Sequence, residues 1–191
     1  MAISRILDGN PSRHGLDVHG FPVLGGADWL RVRPRVLVAV AIGNPVSKKR
    51  VAEELRAAGA DRFATLVHPL AWIGDGVTLG RGTIVCAGNK ITTDIALGDH
   101  VIVNLNCTIG HDAVLSDYVT VAPGVNVSGA VRIGEGADIG TGAAIIQGVS
   151  IGAGTIVGAG AVVTRDIPPG VTAVGVPARP LQRTPPAPRV P

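Results

Sequence analysis

A six-residue repeat of aliphatic residues constrains this chain more than any other feature. From Val67 to Val163, every sixth residue is Val, Ile or Leu, through seventeen consecutive positions without a phase break. Neither the 3.6-residue period of a helix nor the alternation of an ordinary strand gives this spacing. The period fits one short strand followed by one tight turn, with the aliphatic residue and the fifth residue of each hexad pointing inward.

Three such hexads form one coil of a triangular prism. One coil cannot offset the conformational entropy lost by its own residues, so the coils must stack and share their backbone hydrogen bonds. We therefore predict a mainly β protein with a parallel β-helix domain at 67–183. Glycine often follows the aliphatic residue, as at Gly74, Gly110 and Gly134, and we expect these glycines to supply turn geometries with positive φ.

Composition narrows the range of functions. The net charge is +3, but the basic residues are scattered and aromatic residues make up only 3% of the chain, which argues against nucleic-acid binding. No apolar run reaches 18 residues, and the first ten residues do not have the pattern of a signal peptide. Two cysteines do not make a disulfide framework, so we expect a cytoplasmic protein without a membrane span.

Residues 1–66 have a different pattern. We predict a buried parallel strand at Val36–Ile42, because this run is strongly apolar. A helix is expected from Ser47 to Ala58, with Ser47 as its N-cap, and a short strand at 4–7 and a short helix at 28–31 are also expected. This order suggests a partial α/β domain at 1–66, while the proline-rich segment 184–191 is predicted to be a disordered tail.

Three segments resemble the NeuD-type sugar acetyltransferases of the hexapeptide-repeat acyltransferase superfamily: VHGFPVLGG at 18–26, VAIGNPVSKKR at 40–50 and VHP at 67–69. The resemblance covers about residues 3–182. It implies a left-handed β-helix, acetyl-CoA as co-substrate, a sugar or nucleotide-sugar acceptor, a homotrimer and a role in cell-surface polysaccharide biosynthesis. Such proteins open with a Rossmann-like strand and a G-x-G-G-H-type loop. That loop has no counterpart here, so we expect either a truncated sugar-binding segment or a misassigned start codon.

The segment NLNCTIGHDAVLSDYVTVAPGVNVSG at 104–129 is similar to the catalytic segment of this family. The resemblance implies that His111 is the general base, because the acceptor must lose a proton as it attacks the thioester and a neutral imidazole suits that task. Asp112 would fix the imidazole tautomer, provided that the corner of the prism turns its side chain back towards His111. Gly129 lies one coil further on, where a backbone N–H could stabilise the oxyanion.

The resemblance also implies the binding residues. Cofactor contacts are expected at Thr120, and around Thr141 and Ala159 in the same corner of later coils. The loop GVPAR at 175–179 is expected near the CoA phosphates, with Arg179 or Arg183 as their partner. Contacts with the acceptor are implied for three residues of the N-terminal segment, namely Asp8, Gly9 and Gly43.

The remaining histidines suggest other interpretations. We expect His14 and His19 at the surface, His68 in a structural position, and His100 outward and exposed at the fourth place of its hexad. A zinc enzyme of the γ-class carbonic anhydrase type needs three suitably spaced histidines, and no such set is present, so we predict no metal. A structural or catalytically impaired β-helix is the other alternative. The residues leave open whether an amino or a hydroxyl group is acetylated.

Overall fold

The computed structural model describes residues 5–33 and 36–181 and confirms the β-helix. Its two-residue strands are β3 (Leu66–Val67), β4 (Trp72–Ile73), β5 (Thr78–Leu79), β6 (Ile84–Val85), β7 (Lys90–Ile91), β8 (Ala96–Leu97), β9 (Ile102–Val103), β10 (Thr108–Ile109), β11 (Val114–Leu115), β12 (Thr120–Val121), β13 (Asn126–Val127), β14 (Arg132–Ile133), β15 (Asp138–Ile139), β16 (Ala144–Ile145), β17 (Ser150–Ile151), β18 (Ile156–Val157) and β19 (Val162–Val163). The tail predicted at 184–191 lies outside the described residues.

The strands form three parallel sheets, one on each face of the prism. Sheet I contains β3, β6, β9, β12, β15 and β18; sheet II contains β4, β7, β10, β13, β16 and β19; sheet III contains β5, β8, β11, β14 and β17. Neighbouring strands of a sheet pair residues that are 18 positions apart, as Thr108 pairs with Asn126. A residue therefore has its counterpart in the next coil 18 positions later, and each corner of the prism repeats with the same period.

The interior of the prism is filled by side chains from the two predicted positions. In the middle coils, both the ladder residue and the fifth residue are fully buried, as shown by Ile109 and Ala113 at 0% exposure. The first coil differs, because Val67 is 42% exposed with no earlier coil stacked above it. The aliphatic ladder is thus confirmed as the core, except at the open end of the prism.

The expected role of the second-position glycines is wrong. The backbone at Gly110 and Gly134 does not have positive φ. Their backbones instead lie close against the next coil, because an added Cβ at Gly110 would stand 2.5 Å from the nitrogen of Gly129, and one at Gly134 would stand 2.5 Å from the nitrogen of Ala153. Glycine is needed at these corners for the close approach of two backbones.

Positive φ occurs at the fourth position of the hexad instead. Many coils have glycine there, including Gly136 with φ of 64°. Elsewhere the left-handed conformation is adopted by residues with a side chain. These residues are Asp94, His100, Asn106, Asp112, Tyr118 and Ala130.

The N-terminal segment contains few regular elements. A hairpin of β1 (Asp17–Val18) and β2 (Phe21–Pro22) lies between two 3-10 helices, at Pro11–Arg13 and Ala27–Leu30, and the second of these confirms the short helix expected near residue 28. The strand expected at 4–7 is reduced to one bridge, between Ile6 and Val23.

The strand predicted at Val36–Ile42 is wrong. Only an isolated parallel bridge between Val38 and Phe63 is present, although Val40 is buried at 3% exposure. Val36 and Leu37 are exposed, so this run is packed from one side at alternate residues rather than buried as a central strand.

The predicted helix is present as α1 (Pro45–Ala57). Its N-cap is Asn44 rather than Ser47, since the Asn44 side chain accepts a hydrogen bond of 2.9 Å from the Ser47 backbone N–H. Pro45 occupies the first turn, where its missing N–H costs nothing. The predicted cap was therefore three residues too late.

Helix α1 packs against sheet I and against the corner between sheets III and I. Its Ala52 and Leu55 join a second apolar cluster with Leu30, Val40 and Phe63. This cluster also includes Tyr118 of the β-helix, so the N-terminal segment and the prism share a hydrophobic contact. Sheet I continues beyond β18 with β20 (Thr172–Val174), which pairs with β18 in parallel, and β21 (Arg179–Pro180), which pairs with β20 in the antiparallel sense. No helix within the described ranges is long and apolar enough to cross a membrane.

The prediction that His100 is exposed is also wrong. His100 is only 1% exposed and has the left-handed conformation, which turns its ring into the contact with the N-terminal segment. The ring stacks on Tyr118 at a centroid distance of 5.3 Å and meets the edge of Phe63 at 4.7 Å. The Arg56 guanidinium lies 3.0 Å from His100 Nε2 and also donates a hydrogen bond of 2.8 Å to the Tyr118 hydroxyl.

Candidate active site

His111 and Asp112 lie together on the surface of the corner between sheets II and III. The Nδ1 of His111 is 2.7 Å from Oδ2 of Asp112, and both side chains are more than half exposed. A carboxylate accepts hydrogen bonds, so this contact places the imidazole proton on Nδ1 and leaves Nε2 as the free base. The arrangement has the chemistry of a general base whose tautomer is fixed by a carboxylate.

The backbone at Asp112 explains how adjacent residues can meet. In an extended strand, neighbouring side chains point to opposite faces. Asp112 has φ of 59°, in the left-handed region, where aspartate is one of the more readily accommodated residues. The corner therefore turns its carboxylate back towards His111, which is the condition that the sequence left open.

Gly129 lies directly beneath the imidazole, one coil further along the same corner. A Cβ added at Gly129 would stand 2.5 Å from His111 Nε2, so the ring rests against the bare α-carbon. The two coils are joined here by a hydrogen bond of 2.7 Å from the Ala130 N–H to the His111 carbonyl oxygen. The Gly129 N–H finds no acceptor within residues 5–33 and 36–181, which leaves a backbone donor beside the base.

Thr141 and Ala159 lie in a different corner from His111, which corrects the expected placement. They lie in the corner between sheets I and II, where the Gly160 N–H bonds the Thr141 carbonyl oxygen at 2.8 Å. The 18-residue period puts Gly129 and not Thr141 in the corner of His111. Within the described part of the chain, the N–H groups of Thr141 and Ala159 have no acceptor. Both donors therefore remain open to a ligand that runs along that corner.

Thr120, which was expected to contact the cofactor, has its hydroxyl engaged within this chain. It is 6% exposed, and its hydroxyl donates a hydrogen bond of 2.6 Å to the carbonyl oxygen of Gly43. The same hydroxyl accepts a hydrogen bond of 2.8 Å from the amino group of Lys48. The structure thus joins one predicted cofactor residue to one predicted acceptor residue, through a lysine that the sequence analysis missed.

Lys48 is fully buried, and among the described residues it is the largest side chain with essentially no exposure. Its amino group also donates a hydrogen bond of 3.2 Å to the Val119 carbonyl oxygen. Burial lowers the pKa of Lys48 to about 8, while the nearby Asp138 carboxylate acts in the opposite direction. Burial in turn raises the pKa of the Asp138 carboxyl. The available signal was the position of Lys48 on the buried side of α1, four residues before Ala52 and seven before Leu55.

Asp8 and Gly9 belong to a local turn in the N-terminal segment. The Asp8 carboxylate accepts hydrogen bonds from the Asn10 N–H at 2.9 Å and from Arg13 at 2.8 Å. These bonds, with that of Asn10 contributing most, lower the pKa of the Asp8 carboxyl. Gly9 has open space on its Cβ side, and His14 is exposed beside the turn, as expected.

The remaining predicted residues lie at the surface. His19 and His68 are exposed, and His68 accepts a hydrogen bond from the Leu70 N–H, in keeping with its expected structural position. Arg179 is exposed at the start of β21, and its guanidinium donates a hydrogen bond of 2.7 Å to the Ala178 carbonyl oxygen. Arg183 lies outside the described residues. Among those that are described, no group of three His, Cys, Asp or Glu side chains could hold a metal ion.

Comparison with solved structures then identifies the family. No family model matches the chain. A histidine-to-asparagine variant of perosamine N-acetyltransferase from Caulobacter crescentus, solved with CoA and GDP-perosamine, is 35% identical, with a TM-score of 0.83 over 91% of this chain and 83% of that one. The chain belongs to the left-handed β-helix family of sugar N-acetyltransferases.

Two further relatives agree with this assignment. The acetyltransferase domain of PglB from Neisseria gonorrhoeae, solved with acetyl coenzyme A, is 36% identical, with a TM-score of 0.83 over 93% of this chain and 86% of that one. GDP-perosamine N-acetyltransferase of Escherichia coli O157:H7 is 38% identical over 111 residues, which are 58% of this chain. The alignment spans half the length of that curated relative.

Proposed function

We propose that this protein is an acetyl-CoA-dependent N-acetyltransferase that acts on the amino group of a nucleotide-linked sugar. The observation that carries the proposal is the pairing of His111 with Asp112 at 2.7 Å, next to Gly129, whose N–H has no acceptor among the described residues. A base, a group that orients it and an oxyanion donor are what acyl transfer from a thioester requires. The family relationship indicates that the thioester is acetyl-CoA and that the acceptor is an amino sugar linked to a nucleotide.

The chemistry follows from the roles of these groups. The acceptor nitrogen attacks the thioester carbonyl carbon while Nε2 of His111 takes the proton from that nitrogen. The Gly129 N–H stabilises the negative charge on the oxygen of the tetrahedral intermediate. The carbon–sulfur bond then breaks, and the departing thiolate of CoA takes the proton back from the imidazolium. Asp112 stabilises the imidazolium throughout without itself being protonated.

N-acetylation is favoured over O-acetylation by the relatives. The solved Caulobacter enzyme binds CoA together with GDP-perosamine, and the curated relative is named for N-acetylation of the same compound. We propose an acceptor of this kind, with Asp8, Gly9 and Gly43 contributing to its recognition. Thr141 and Ala159 would donate backbone N–H groups to the pantetheine arm, and Arg179 would pair with a CoA phosphate. By this proposal the protein takes part in the biosynthesis of a cell-surface polysaccharide.

The active unit is proposed to be a homotrimer. The prism interior is filled by aliphatic side chains, so a long thin cofactor must lie on the outside of the prism. A single flat face offers little of the concavity that ligand sites need, whereas prisms packed side by side around a cyclic axis create equivalent grooves. His111 of one subunit would then face acetyl-CoA held largely by the next subunit. Light scattering and an activity assay on the same sample test this arrangement, and a monomer with full activity would disprove it.

We also place the enzyme in the cytoplasm. Cys86 and Cys107 are free thiols, and Cys107 is fully buried in the prism. Free cysteines of this kind suit a reducing compartment. Fractionation of the native host, with the protein detected by an antibody, tests the assignment, and recovery outside the cytoplasmic fraction would refute it.

The proposed activity is tested with the purified protein, acetyl-CoA and GDP-perosamine. We expect release of one CoA thiol per acetylated product, with the product identified by mass spectrometry. The matched control is His111→Asn, which keeps a polar side chain of similar size but removes the base. Equal turnover by the two proteins would refute the role of His111, and a product acetylated on oxygen would refute N-acetylation.

A further inference from the structure

The buried amino group of Lys48 connects the two parts of the molecule at one point. Lys48 belongs to helix α1 of the N-terminal segment, and its hydrogen-bond acceptors, Val119 and Thr120, belong to the β-helix. The Thr120 hydroxyl then donates to the Gly43 carbonyl oxygen at 2.6 Å. A continuous chain therefore runs from Lys48 through Thr120 to Gly43.

The chain of hydrogen bonds ends on a loop, which makes it more than a general packing contact. Gly43 immediately precedes Asn44, the N-cap of α1, so its carbonyl oxygen fixes where the loop before the helix lies. An added Cβ at Gly43 would meet nothing within 4 Å. The Thr120 hydroxyl thus hydrogen-bonds this loop to sheet I of the β-helix.

We propose that Lys48 and Thr120 are positioning residues that hold the loop at Gly43, and with it the acceptor sugar, against a catalytic His111. Thr120 lies on sheet I, opposite the corner of this chain's own His111, so the histidine in question is that of a neighbouring subunit in the proposed homotrimer. This inference rests on the proposed function, since Gly43 is one of the residues assigned to the acceptor. Lys48 holds the Thr120 hydroxyl as a hydrogen-bond acceptor, so the hydroxyl proton is directed to Gly43. A misplacement of the loop by about 1 Å would misalign the amino group that His111 must deprotonate.

A neighbouring lysine provides a matched control. Lys49 also joins α1 to the β-helix, through an ion pair of 2.8 Å with Glu135. Both side chains of that pair are about half exposed, and neither hydrogen-bonds to Gly43 within the described part of the chain. Lys49→Met therefore removes a contact between the same two parts of the molecule while leaving the Lys48–Thr120–Gly43 chain intact.

The test measures KM and kcat for GDP-perosamine and for acetyl-CoA in Lys48→Met, Thr120→Val and Lys49→Met. Methionine keeps an unbranched apolar stem in place of the lysine stem. We expect Lys48→Met and Thr120→Val to raise KM for GDP-perosamine and to lower kcat, so that kcat/KM falls about 10- to 100-fold, with KM for acetyl-CoA within about twofold of the unsubstituted value. Lys49→Met should change none of these constants, and Thr120→Ser, which retains the hydroxyl, should restore the low KM.

Other outcomes would overturn the proposal. Equal KM values for GDP-perosamine in Lys48→Met and Lys49→Met would do so, as would a parallel rise in KM for acetyl-CoA or a fall in thermal stability alone. If Lys48→Met does not fold, the comparison of Thr120→Val with Thr120→Ser decides the question. Failure of the proposed function is recognised separately, because the unsubstituted protein would then transfer no acetyl group. Calorimetric binding of GDP-perosamine to each variant still compares their positioning in that case.

Discussion

The imidazole of His111 rests against the α-carbon of Gly129, one coil further along the same corner of the prism. A single methyl group at Gly129 would stand 2.5 Å from Nε2 and 2.6 Å from Cε1 of the ring. The proposed base and the residue proposed to stabilise the oxyanion are therefore in contact, and the position of each depends on the other.

Gly129→Ala should impair catalysis much more than stability. Its backbone lacks positive φ, and Ala87, Ala153 and Ala159 occupy the equivalent position of other hexads, so the fold accepts alanine there. The added methyl group must displace the His111 ring, and we expect kcat to fall about 10- to 100-fold. Steady-state kinetics and thermal unfolding should be measured together. A normal kcat would show that the ring contact has no catalytic importance.

His111→Ala should reduce kcat by about 10²–10⁴ while leaving the fold intact, because loss of a general base has an effect of that size and His111 is more than half exposed. Near-normal turnover by the purified variant would remove His111 from the mechanism.

Asp112→Asn should have a smaller effect than His111→Ala. Asparagine tolerates the left-handed conformation that Asp112 adopts, so the corner should keep its shape. An amide can still accept a hydrogen bond from Nδ1, but it does not stabilise the imidazolium by charge. The measurement is the pH dependence of kcat/KM, and a profile identical to that of the unsubstituted enzyme would exclude a role for Asp112.

Glycines at the second position of the hexad, which lie close against the next coil, should tolerate substitution much less than those glycines at the fourth position that have positive φ and open space. Gly134→Ala places a Cβ 2.5 Å from the backbone nitrogen of Ala153, where no flexible side chain can give way. We expect it to lower the free energy of unfolding by about 2–3 kcal/mol, as overpacking does. Gly136→Asn is the control, because φ is 64° there but the space is open. Its cost should stay below about 1 kcal/mol, and equal urea midpoints for the two variants would contradict this distinction.

The β-helix could be predicted from the sequence because its period is a property of the chain alone. Each coil repeats the same two buried positions, so the aliphatic residue at every sixth place reports the fold directly. The six-residue period does not reveal why glycine is needed at a particular position of the hexad. Close approach at Gly110 and positive φ at Gly136 are both met by glycine, and only the geometry of stacked coils separates them.

The candidate site was predictable where a local motif carries it. His111 and Asp112 are adjacent in sequence, so a family motif locates both, although the left-handed backbone that brings them together could only be stated as a condition. Lys48 could not be found in this way, because its acceptors lie more than 70 residues away in the chain. Contacts between the N-terminal segment and the prism have no period. The helical spacing of Lys48 with Ala52 and Leu55 indicates a buried position but does not identify the residues that Lys48 contacts.

His100 is a second residue whose contacts with the N-terminal segment could not be predicted from local sequence, and its exposure was predicted wrongly for that reason. Its place in the hexad indicates an outward side chain, and outward normally means exposed. The N-terminal segment instead covers this corner, with Arg56 on the ring edge and Phe63 and Tyr118 on either side. A residue can thus point out of the prism and still be buried.

Burial of His100 should make stability fall as the pH falls. Burial, helped by the Arg56 guanidinium, lowers the pKa of His100 to about 4, while Asp99 and Asp117 oppose this shift. In the unfolded chain the pKa is near the ordinary value of 6.5. Between these two values the unfolded chain binds more protons than the folded protein, so the free energy of unfolding increases with pH.

The stability that depends on a neutral, buried His100 is fully present above pH 6.5 and is lost progressively down to about pH 4. At 1.36 kcal/mol per pH unit, the loss over this window amounts to about 3 kcal/mol. Urea unfolding at a series of pH values should show this slope. His100→Asn accepts the left-handed backbone and cannot be protonated, so it should be less stable at neutral pH but should lose the part of the slope that His100 contributes. An unchanged slope between pH 4 and 6.5 in this variant would show that another group carries the dependence.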